Sequence, residues 1–280
     1  MSYWVAVVAR NAAQHLRWTI DSLLSQTLQP QRIIVVDDGS TDGTGRILSD
    51  YAARHPALIE VLTLPNRGYD IRRVPSNINM AWRVLAGTDS GSDYFMISGD
   101  DCGYPSEYTR LLIKRMRAEP SVVVASGKPS SARIVSAEHS PSGSGRMISC
   151  SFWRSVGSRY PEKAGWETWV LYKALEKGYM IKLYEDLCFE HVRPRGAGHQ
   201  FAYWGAAMYG LGYHSLYAIG RIGKNMMHVT PKAALNMFRG YVQARLGSGD
   251  SFISPFEPAL RRFVRREQSR RIGKVVRALL

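Results

Sequence analysis

The fold of this chain is decided by the stretch Arg32-Ile33-Ile34-Val35-Val36-Asp37-Asp38-Gly39-Ser40-Thr41-Asp42-Gly43-Thr44. Residues 33–36 are all apolar and β-branched, which is typical of a strand buried on both faces of a parallel sheet. The run then changes abruptly to carboxylates, glycines and hydroxyls. Ligands of open α/β sheets bind at the carboxyl ends of the strands. Asp37 and Asp38 are therefore predicted to lie at a binding site.

Apolar runs and helical spacing on both sides of this stretch continue the same alternation. Tyr3 to Ala9 predicts a first strand, and the residues after it predict a helix that Pro30 ends. The spacing of residues 47–52 predicts a second helix. Further strands are predicted at 58–64, 93–97, 121–126, 180–184 and 187–192, and further helices at 77–85 and 165–177. The predicted fold class is α/β, with a mostly parallel sheet flanked by helices.

A second acidic strand end follows the strand at 93–97, where the sequence reads Ser98-Gly99-Asp100-Asp101. Adjacent carboxylates repel each other unless a cation or hydrogen-bond donors lie between them. Magnesium or manganese commonly binds one or two protein carboxylates and takes its remaining ligands from phosphates and water. Helix capping near Pro105 is an alternative role for the same two aspartates. Two acidic strand ends together favour the metal site.

The order and wording of these motifs resemble family 2 of the inverting glycosyltransferases with the GT-A (Rossmann-like) fold. The resemblance is carried by residues 22–27 (Ser-Leu-Leu-Ser-Gln-Thr), 36–44 and 98–101, and it covers roughly residues 3–200. It implies a catalytic domain at 1–200, with a nucleotide-sugar half at about 1–105 and an acceptor half at about 106–200. A basic helical C-terminal extension then occupies 201–280.

The resemblance also implies a set of site residues. In the family the first aspartate pair contacts the nucleotide base, and an Asp-x-Asp motif holds the metal that bridges the donor diphosphate. Ser98 replaces the first aspartate of that motif, so the metal role falls to Asp100. The implied donor-binding residues are Ala9, Asn11, Asp37, Asp38, Arg67, Arg73, Ser98, Gly99, Asp100, His191 and Arg193. The implied ligands of Mn²⁺ or Mg²⁺ are Asp100, Asp101 and His191.

Glu167 is the predicted catalytic base. It follows Trp166 at the start of a helix that Gly178 ends, and the family has an acidic pair at a similar distance before such a glycine. A carboxylate near a helix N-terminus is stabilised in its charged form and can accept a proton from an acceptor hydroxyl. An ordinary first-turn glutamate that favours the helix dipole is the alternative interpretation.

The implied activity is transfer of a hexose-type sugar from a nucleotide diphosphate donor of the UDP or GDP type to a saccharide or lipid-linked acceptor. Two alternatives stay open. The first is a non-catalytic protein that keeps the fold and binds a nucleotide or an anionic surface. The second is a nucleotidyltransferase, although residues 9–13 contain no glycine-rich phosphate loop.

The positive charge of the chain is concentrated at its end. The formal net charge is +14, and residues 221–280 contain thirteen basic and three acidic residues. Leu260 to Leu279 combines an apolar helical stripe with arginines, which is typical of peripheral binding to an anionic membrane surface. A homo-oligomer contact is an alternative use of the stripe, and no nucleic acid partner is predicted.

Cysteine content and apolar segments bear on the compartment. Three cysteines fall in no paired or metal-binding spacing, which favours a reducing compartment. No signal peptide is recognised near the N-terminus. The uncharged segment 201–220 is long enough to cross a bilayer but rich in glycine and aromatic residues. We expect a cytoplasmic protein, peripheral on the inner face of the membrane.

Overall fold

The computed structural model describes residues 1–87, 91–130, 140–193, 201–228, 230–247 and 249–279. The chain forms two compact units. The first comprises Met1–Tyr160 and Gly178–Ala197, and the second comprises Pro161–Lys177 and Gly198–Leu280. The segment that contains Glu167 therefore belongs to the same unit as the C-terminal helices.

The first unit is built on one sheet. Its strands within the described residues are β1 Tyr3–Ala9, β2 Arg32–Asp37, β3 Ile59–Thr63, β4 Tyr94–Ser98, β5 Cys102–Gly103, β6 Val122–Pro129, β7 Arg146–Ser149 and β8 Met180–His191. They are ordered β3-β2-β1-β4-β7-β6-β8-β5. Four of the seven pairings are parallel, and β4/β7, β6/β7 and β5/β8 are antiparallel. The predicted α/β class with a mostly parallel sheet is confirmed.

The register of the central strands aligns the predicted site. β1 lies between β2 and β4 and runs parallel to both, with Ala9 opposite Asp37 and Val7 opposite Ser98. Chain order reverses at this point of the sheet, because β2 and β3 follow on one side of β1 and β4 on the other. Such a reversal leaves a crevice at the carboxyl ends of the strands. The polar segments after β1, β2 and β4 therefore start at one edge.

Helices pack on the sheet through the apolar faces that the sequence predicts. The described helices of the first unit are α1 Leu16–Leu24, α2 Thr44–Arg54, α3 Val74–Ala86, α4 Tyr108–Ala118 and α5 Cys150–Ser155. In α1 the buried side chains include Leu16, Ile20 and Leu23, and in α2 they include Leu48 and Tyr51. All five join one core with residues of β1 and β2. The helical spacing read from the sequence is confirmed in both helices.

The second unit is helical. Its described helices are α6 Trp166–Glu176, α7 Phe201–Gly210, α8 Ser215–His228, α9 Pro231–Leu246 and α10 Pro258–Leu279. α7 and α9 are in direct backbone contact, because a Cβ at Gly205 would lie 1.8 Å from the Met237 carbonyl oxygen. A Cβ at Gly240 would likewise lie 1.9 Å from the Ala202 carbonyl oxygen. Glycine is therefore required at both positions of this helix pair.

The apolar segment 201–220 is divided between two helices. α7 ends at Gly210 and α8 begins at Ser215, and Gly212 between them has a φ of +77°. That backbone conformation favours glycine and interrupts a helix. None of the described helices combines the length and the hydropathy that crossing a membrane requires.

The apolar stripe of α10 packs into its own unit over the part whose side chains are described. Leu260 and Val264 are fully buried, and Gln268 is 1% exposed. Gln268 accepts a hydrogen bond from the His214 amide at 2.8 Å and donates to the Tyr172 hydroxyl at 3.2 Å. The predicted stripe residues Val275, Val276 and Leu279 lie outside the described side chains. The described stripe is thus a packing face, which corrects its assignment to a membrane surface.

β8 is one continuous strand, whereas the sequence predicts two strands separated by residues 185–186. Its register with β6 shifts after Gly127, which is the geometry of a β-bulge. Asp186, in the bulged region, accepts hydrogen bonds from Arg115 at 2.7 and 2.5 Å. Residues 185 and 186, which the prediction left between two strands, lie in this bulge, and the strand continues through it.

Residues 128–145 are rich in serine, proline and glycine, a composition that predicts a long loop over the site. In the structure this segment begins as strand. β6 continues through Pro129. Near the end of the segment, the Ser142 amide donates a hydrogen bond to the Ser126 hydroxyl at 2.7 Å. Residues 131–139 lie outside the described residues, so the prediction that the loop covers the site stays a prediction.

Candidate active site

Asp37 and Asp38 lie at the carboxyl end of β2, and both are buried, with exposures of 2% and 7%. Asp37 accepts hydrogen bonds from the Ser40 amide at 2.9 Å and the Ser40 hydroxyl at 2.6 Å, which closes the turn after the strand. Asp38 pairs with Arg73 through Nε at 3.0 Å and Nη2 at 2.9 Å. This hydrogen bonding raises the pKa of the Arg73 guanidinium. Asp38 is therefore held in a fixed orientation at the sheet edge.

Arg10, which the sequence did not single out, connects the loops of this edge. Its guanidinium donates hydrogen bonds to the carbonyls of Asp38 and Gly39, the latter at 3.0 Å, and to Asn66 Oδ1 at 2.8 Å. Its backbone amide donates to Asp100 Oδ2 at 3.2 Å. Arg10 directly follows a buried strand, at the sheet edge where the sequence predicts a binding site. That position is the sequence signal by which it could have been found.

Ala9 and Asn11 lie at the end of β1, where the prediction placed them. The Asp38 amide donates to the Ala9 carbonyl at 2.9 Å. Asn11 has a φ of +47°, a left-handed conformation that asparagine tolerates better than most residues. Its amide donates to the Ser40 hydroxyl at 2.9 Å, and its Oδ1 accepts from the Thr41 amide at 2.8 Å. The β1 and β2 ends thus form one hydrogen-bonded platform.

Asp100 brings a third buried carboxylate to the platform, with an exposure of 6%. Its Oδ1 lies 3.2 Å from Nη1 of Arg193. Burial raises the pKa of Asp100, the Arg193 charge opposes that rise, and the neighbouring Asp101 charge adds to it. A buried carboxylate whose ionised form is disfavoured in this way is stabilised by any further cation placed beside it.

Asp101, Cys102 and His191 form a cluster with metal-ligating chemistry. Cys102 lies opposite His191 in the antiparallel β5/β8 pair. One ligand atom from each of the three residues lies within 4.8 Å of the others. The His191 Nδ1 is 2.9 Å from the Arg193 carbonyl, which can only accept, so Nδ1 carries the proton. In the neutral ring Nε2, 3.6 Å from Asp101 Oδ1, then keeps its lone pair.

Cys102 is a member of this cluster that the sequence did not predict. Burial, together with the Asp101 charge, raises the pKa of its thiol to about 12. The thiol therefore stays protonated near neutral pH in the metal-free protein. Only the long-range pairing of β5 with β8 brings it to the predicted ligand His191.

Ser98 and Gly99 shape the acidic turn. Ser98 is 2% exposed, and its hydroxyl lies 2.9 Å from that of Tyr104 and donates to the Gly99 carbonyl at 2.8 Å. A Cβ at Gly99 would lie 2.9 Å from Asp101 Oδ1. Gly99 therefore allows the carboxylate to approach the backbone. Ser98 is engaged in contacts within the protein.

The remaining predicted site residues are Arg67 and Glu167. Arg67 is exposed, and within the described residues it has no hydrogen bond or ion pair. Glu167 lies in the second unit, exposed in the first turn of α6 after Gly165, which has a φ of +95°. Trp166 beside it is half-buried and Trp169 is buried. Glu167 therefore has the helix-start position predicted for it.

Comparison with known sequences identifies the family. The sequence model of Glycosyl transferase family 2 matches residues 4–157, a range that includes the ends of β1, β2 and β4. The match spans more than half of the 280 residues. The chain belongs to glycosyl transferase family 2. The resemblance given by residues 36–44 and 98–101 is thereby confirmed.

Curated relatives of this family 2 protein match over part of their length. "Uncharacterized glycosyltransferase EpsJ" of Bacillus subtilis is 38% identical over 90 residues, which cover 32% of this chain and 26% of the relative. "Succinoglycan biosynthesis protein ExoA" of Rhizobium meliloti is 32% identical over 126 residues, which cover 43% of this chain and 35% of the relative. The chain thus spans about a quarter to a third of the length of these relatives.

Solved structures of low sequence identity show the same GT-A fold. The mannosyltransferase PcManGT from Pyrobaculum calidifontis, in complex with GDP-Man and Mn²⁺, has a TM-score of 0.59 at 16% identity, covering 99% of this chain and 80% of that one. S. aureus TarS 1-349 in complex with UDP-GlcNAc has a TM-score of 0.58 at 16% identity, with coverages of 89% and 74%. The family 2 chain therefore shares the fold of both proteins.

Proposed function

We propose that this family 2 member is a metal-dependent, inverting glycosyltransferase that moves a sugar from a nucleotide diphosphate donor to an acceptor hydroxyl. The observation that carries the proposal is the meeting of four buried carboxylates with three arginines where β1, β2 and β4 end. The carboxylates are Asp37, Asp38, Asp100 and Asp101, and the arginines are Arg10, Arg73 and Arg193. Both signs of charge suit a ligand that combines hydroxyl and amide donors with a diphosphate and a divalent cation.

The β1 and β2 ends are the proposed nucleotide site. Carboxylates accept hydrogen bonds from ribose hydroxyls and base N–H groups. Asp37 and Asp38 take this role, and the bidentate contact with Arg73 holds Asp38 in position. The remaining residues proposed to contact the donor are Ala9, Asn11, Arg67, Ser98 and Gly99. GDP-Man and UDP-GlcNAc, the ligands of the two solved structures, support a nucleotide sugar as donor.

Asp100, Asp101 and His191 are the residues proposed to hold Mn²⁺ or Mg²⁺. Carboxylate oxygens and an imidazole nitrogen are suitable donors for these ions, and the His191 tautomer leaves Nε2 available. Mn²⁺ in the PcManGT complex supports the same cofactor class. When bound, the cation neutralises the charge that develops on the leaving diphosphate.

Arg193 and Glu167 are the proposed partners of the diphosphate and the acceptor. The Arg193 side chain is 44% exposed and reaches both Asp100 and Asp101, at 3.2 and 3.8 Å. Phosphate oxygens can accept the same guanidinium donors in a bidentate manner. Glu167 is proposed to take the proton of an acceptor hydroxyl, on a saccharide or a lipid-linked glycan, as that oxygen attacks the sugar.

Titration calorimetry tests the donor site. With Mn²⁺ present, we expect UDP or GDP to bind, and Arg73→Gln to weaken that binding about tenfold or more because Asp38 loses its bidentate partner. Arg72→Gln is the matched control, since Arg72 pairs with Asp70. Equal affinity in the two variants would contradict the proposed role of Arg73 and Asp38. Binding without any donor turnover would favour the non-catalytic alternative.

We also propose that the second unit binds an anionic membrane surface through α8 and α9. Seven apolar side chains on these helices are each more than half exposed, namely Leu216, Ile219, Met226, Met227, Leu235, Phe238 and Leu246. Lys224, Lys232, Arg239 and Arg245 are exposed on the same two helices. At an anionic membrane surface the apolar side chains can insert between the headgroups while the basic side chains contact the headgroup charges. Each basic residue near such a leaflet contributes about 1 kcal/mol to the binding free energy.

Co-sedimentation with vesicles tests this surface. We expect binding to phosphatidylcholine vesicles that contain phosphatidylglycerol, release by salt, and about tenfold weaker binding for Leu235→Asp. Tyr69→Asp in the first unit is the control, because Tyr69 and Leu235 are both 66% exposed. Recovery of the unmodified protein in the supernatant at low salt would remove the membrane proposal.

A further inference from the structure

The second unit contains an open cleft of about 380 Å³ whose chemistry is anion recognition. Residues from α7, the start of α8, α9 and α10 line it, among them Tyr209, His214, Tyr241, Arg245, Arg261 and Arg265. None of its described lining residues is acidic. We infer that this cleft binds a phosphate group, as a phosphomonoester or a diphosphate.

Among the residues that the structure describes, no acidic side chain pairs with the exposed arginines of the cleft. Neither Arg245 nor Arg265 has a side-chain hydrogen bond or ion pair with any residue that the structure describes, and both are exposed. The nearby glutamates of the second unit pair elsewhere, Glu257 with Lys173 at 2.9 Å and Glu267 with Arg271 at 3.4 Å. Like charges gathered in this way repel each other unless an anion lies between them.

Arg261 is the preorganised member of the arginine set. Its guanidinium lies over the Tyr209 ring at 5.2 Å, and Nη2 donates to the Tyr209 carbonyl at 3.4 Å. Its Nε is buried, and no acceptor among the described residues reaches it. The planar guanidinium suits phosphate oxygens.

The turn before α8 holds the cleft together. A Cβ at Gly212 would lie 2.6 Å from Arg261 Cβ, so this turn rests directly on α10. His214 accepts a hydrogen bond from the Leu216 amide through Nδ1 at 3.3 Å, which places the proton of the neutral ring on Nε2. Ser215 lines the cleft and begins the fourteen-residue α8. The positive end of a helix dipole therefore adds to the arginine charges.

Two tyrosines give the cleft a partly apolar wall. The Tyr209 and Tyr241 rings meet edge to face at 5.9 Å. This wall suits the carbon atoms next to a phosphate, whereas the arginines suit its oxygens. All lining residues belong to the second unit, so the inference is independent of the proposed glycosyl transfer.

The test is titration calorimetry of the full chain with inorganic pyrophosphate in EDTA, which removes divalent ions from the first unit. We expect Arg245→Gln combined with Arg265→Gln to weaken pyrophosphate binding at least about tenfold, because two charge-assisted donors are lost. The matched control combines Arg262→Gln with Arg266→Gln, two exposed arginines of α10 that do not line the cleft. Both double variants lose the same charge.

Absence of pyrophosphate binding to the unmodified protein at millimolar concentration would overturn the inference, as would equal losses in the two double variants. The single variant Arg265→Gln, with its melting temperature measured, guards against misfolding of the double variant. Vesicles of phosphatidylcholine with phosphatidic acid distinguish the sources of the phosphate. Release from these vesicles by pyrophosphate, but not by sodium chloride of equal ionic strength, identifies a lipid headgroup as a ligand. Pyrophosphate binding without such release identifies a soluble phosphate compound.

Discussion

Replacing Glu167 with glutamine is expected to lower kcat by about a hundredfold or more, with the donor Kd and the melting temperature nearly unchanged. Glutamine keeps the size of the side chain but cannot accept the proton of an acceptor hydroxyl. Glu167 is exposed in the first turn of α6, so its replacement removes little packing. The measurement is the initial rate of nucleotide diphosphate release from the donor with acceptor present, together with calorimetry of nucleotide diphosphate binding.

Glu162→Gln is the matched control for this prediction. Glu162 is exposed and lies five residues before Glu167 in the same compact unit. If turnover falls in Glu162→Gln and survives in Glu167→Gln, the base is Glu162 and our assignment is wrong. Asp186 is a weaker candidate, because its hydrogen bond with Arg115 lowers the pKa of its carboxyl.

Much of the first unit follows from local sequence because its strands and helices carry strong periodicity. Residues 33–36 contain four consecutive β-branched side chains, and all four are fully buried in β2. The misjudged region is 180–192, which was predicted as two strands separated by Glu185 and Asp186 and is one strand in the structure. Their charges are neutralised by Lys128 at 3.5 Å and Arg115 at 2.5 Å, contacts that depend on tertiary pairing. Local propensity cannot show such partners.

The part of the candidate site at the acidic strand ends could be predicted from the sequence. The part formed by pairing of distant segments could not. Asp37 and Asp100 follow apolar runs, and their position at one edge results from the parallel alignment with β1. Cys102 enters the metal-ligating cluster only through its register with His191 in β5/β8. The Arg10 side chain joins the end of β1 to the loops after β2 and β3. Its position after a buried strand is visible in the sequence, but these tertiary contacts are not.

The tail shows why amphipathicity does not identify a membrane surface. The stripe of α10 has helical spacing, yet Leu260 and Val264 are fully buried within their own unit. Leu235 on α9 is exposed, although the sequence of α9 shows no stronger amphipathic pattern than the sequence of α10. A hydrophobic face indicates that something covers it, and only the tertiary structure shows whether that cover is the protein itself.

Replacing Asp100 with asparagine is expected to abolish the Mn²⁺-supported part of nucleotide diphosphate binding, a loss of about a hundredfold or more in affinity. Loss of a residue that only supports a metal ligand already lowers metal affinity by about 10- to 100-fold, and loss of a ligand itself should cost at least as much. Burial raises the pKa of Asp100. A raised pKa in the folded state means that the protonated form stabilises the fold, and that this stability is lost as the pH rises through the folded pKa. Asparagine imitates the neutral form at every pH. In EDTA at neutral pH we therefore expect Asp100→Asn to melt no lower than the unmodified protein.

The variant is expected to bind the nucleotide diphosphate more weakly but to melt no lower than the unmodified protein. General damage to the fold would instead lower both the affinity and the melting temperature. Asp186→Asn is the control, because Asp186 is an exposed aspartate of the same unit that pairs with Arg115. It should leave Mn²⁺-supported binding unchanged. Calorimetry with Mn²⁺ and thermal melts in EDTA give the two readouts. Full Mn²⁺-supported affinity in Asp100→Asn would show that Asp101 and His191 bind the ion without Asp100. A lower melting temperature in EDTA would show that the ion pair with Arg193 stabilises the fold by more than the burial of the charge costs.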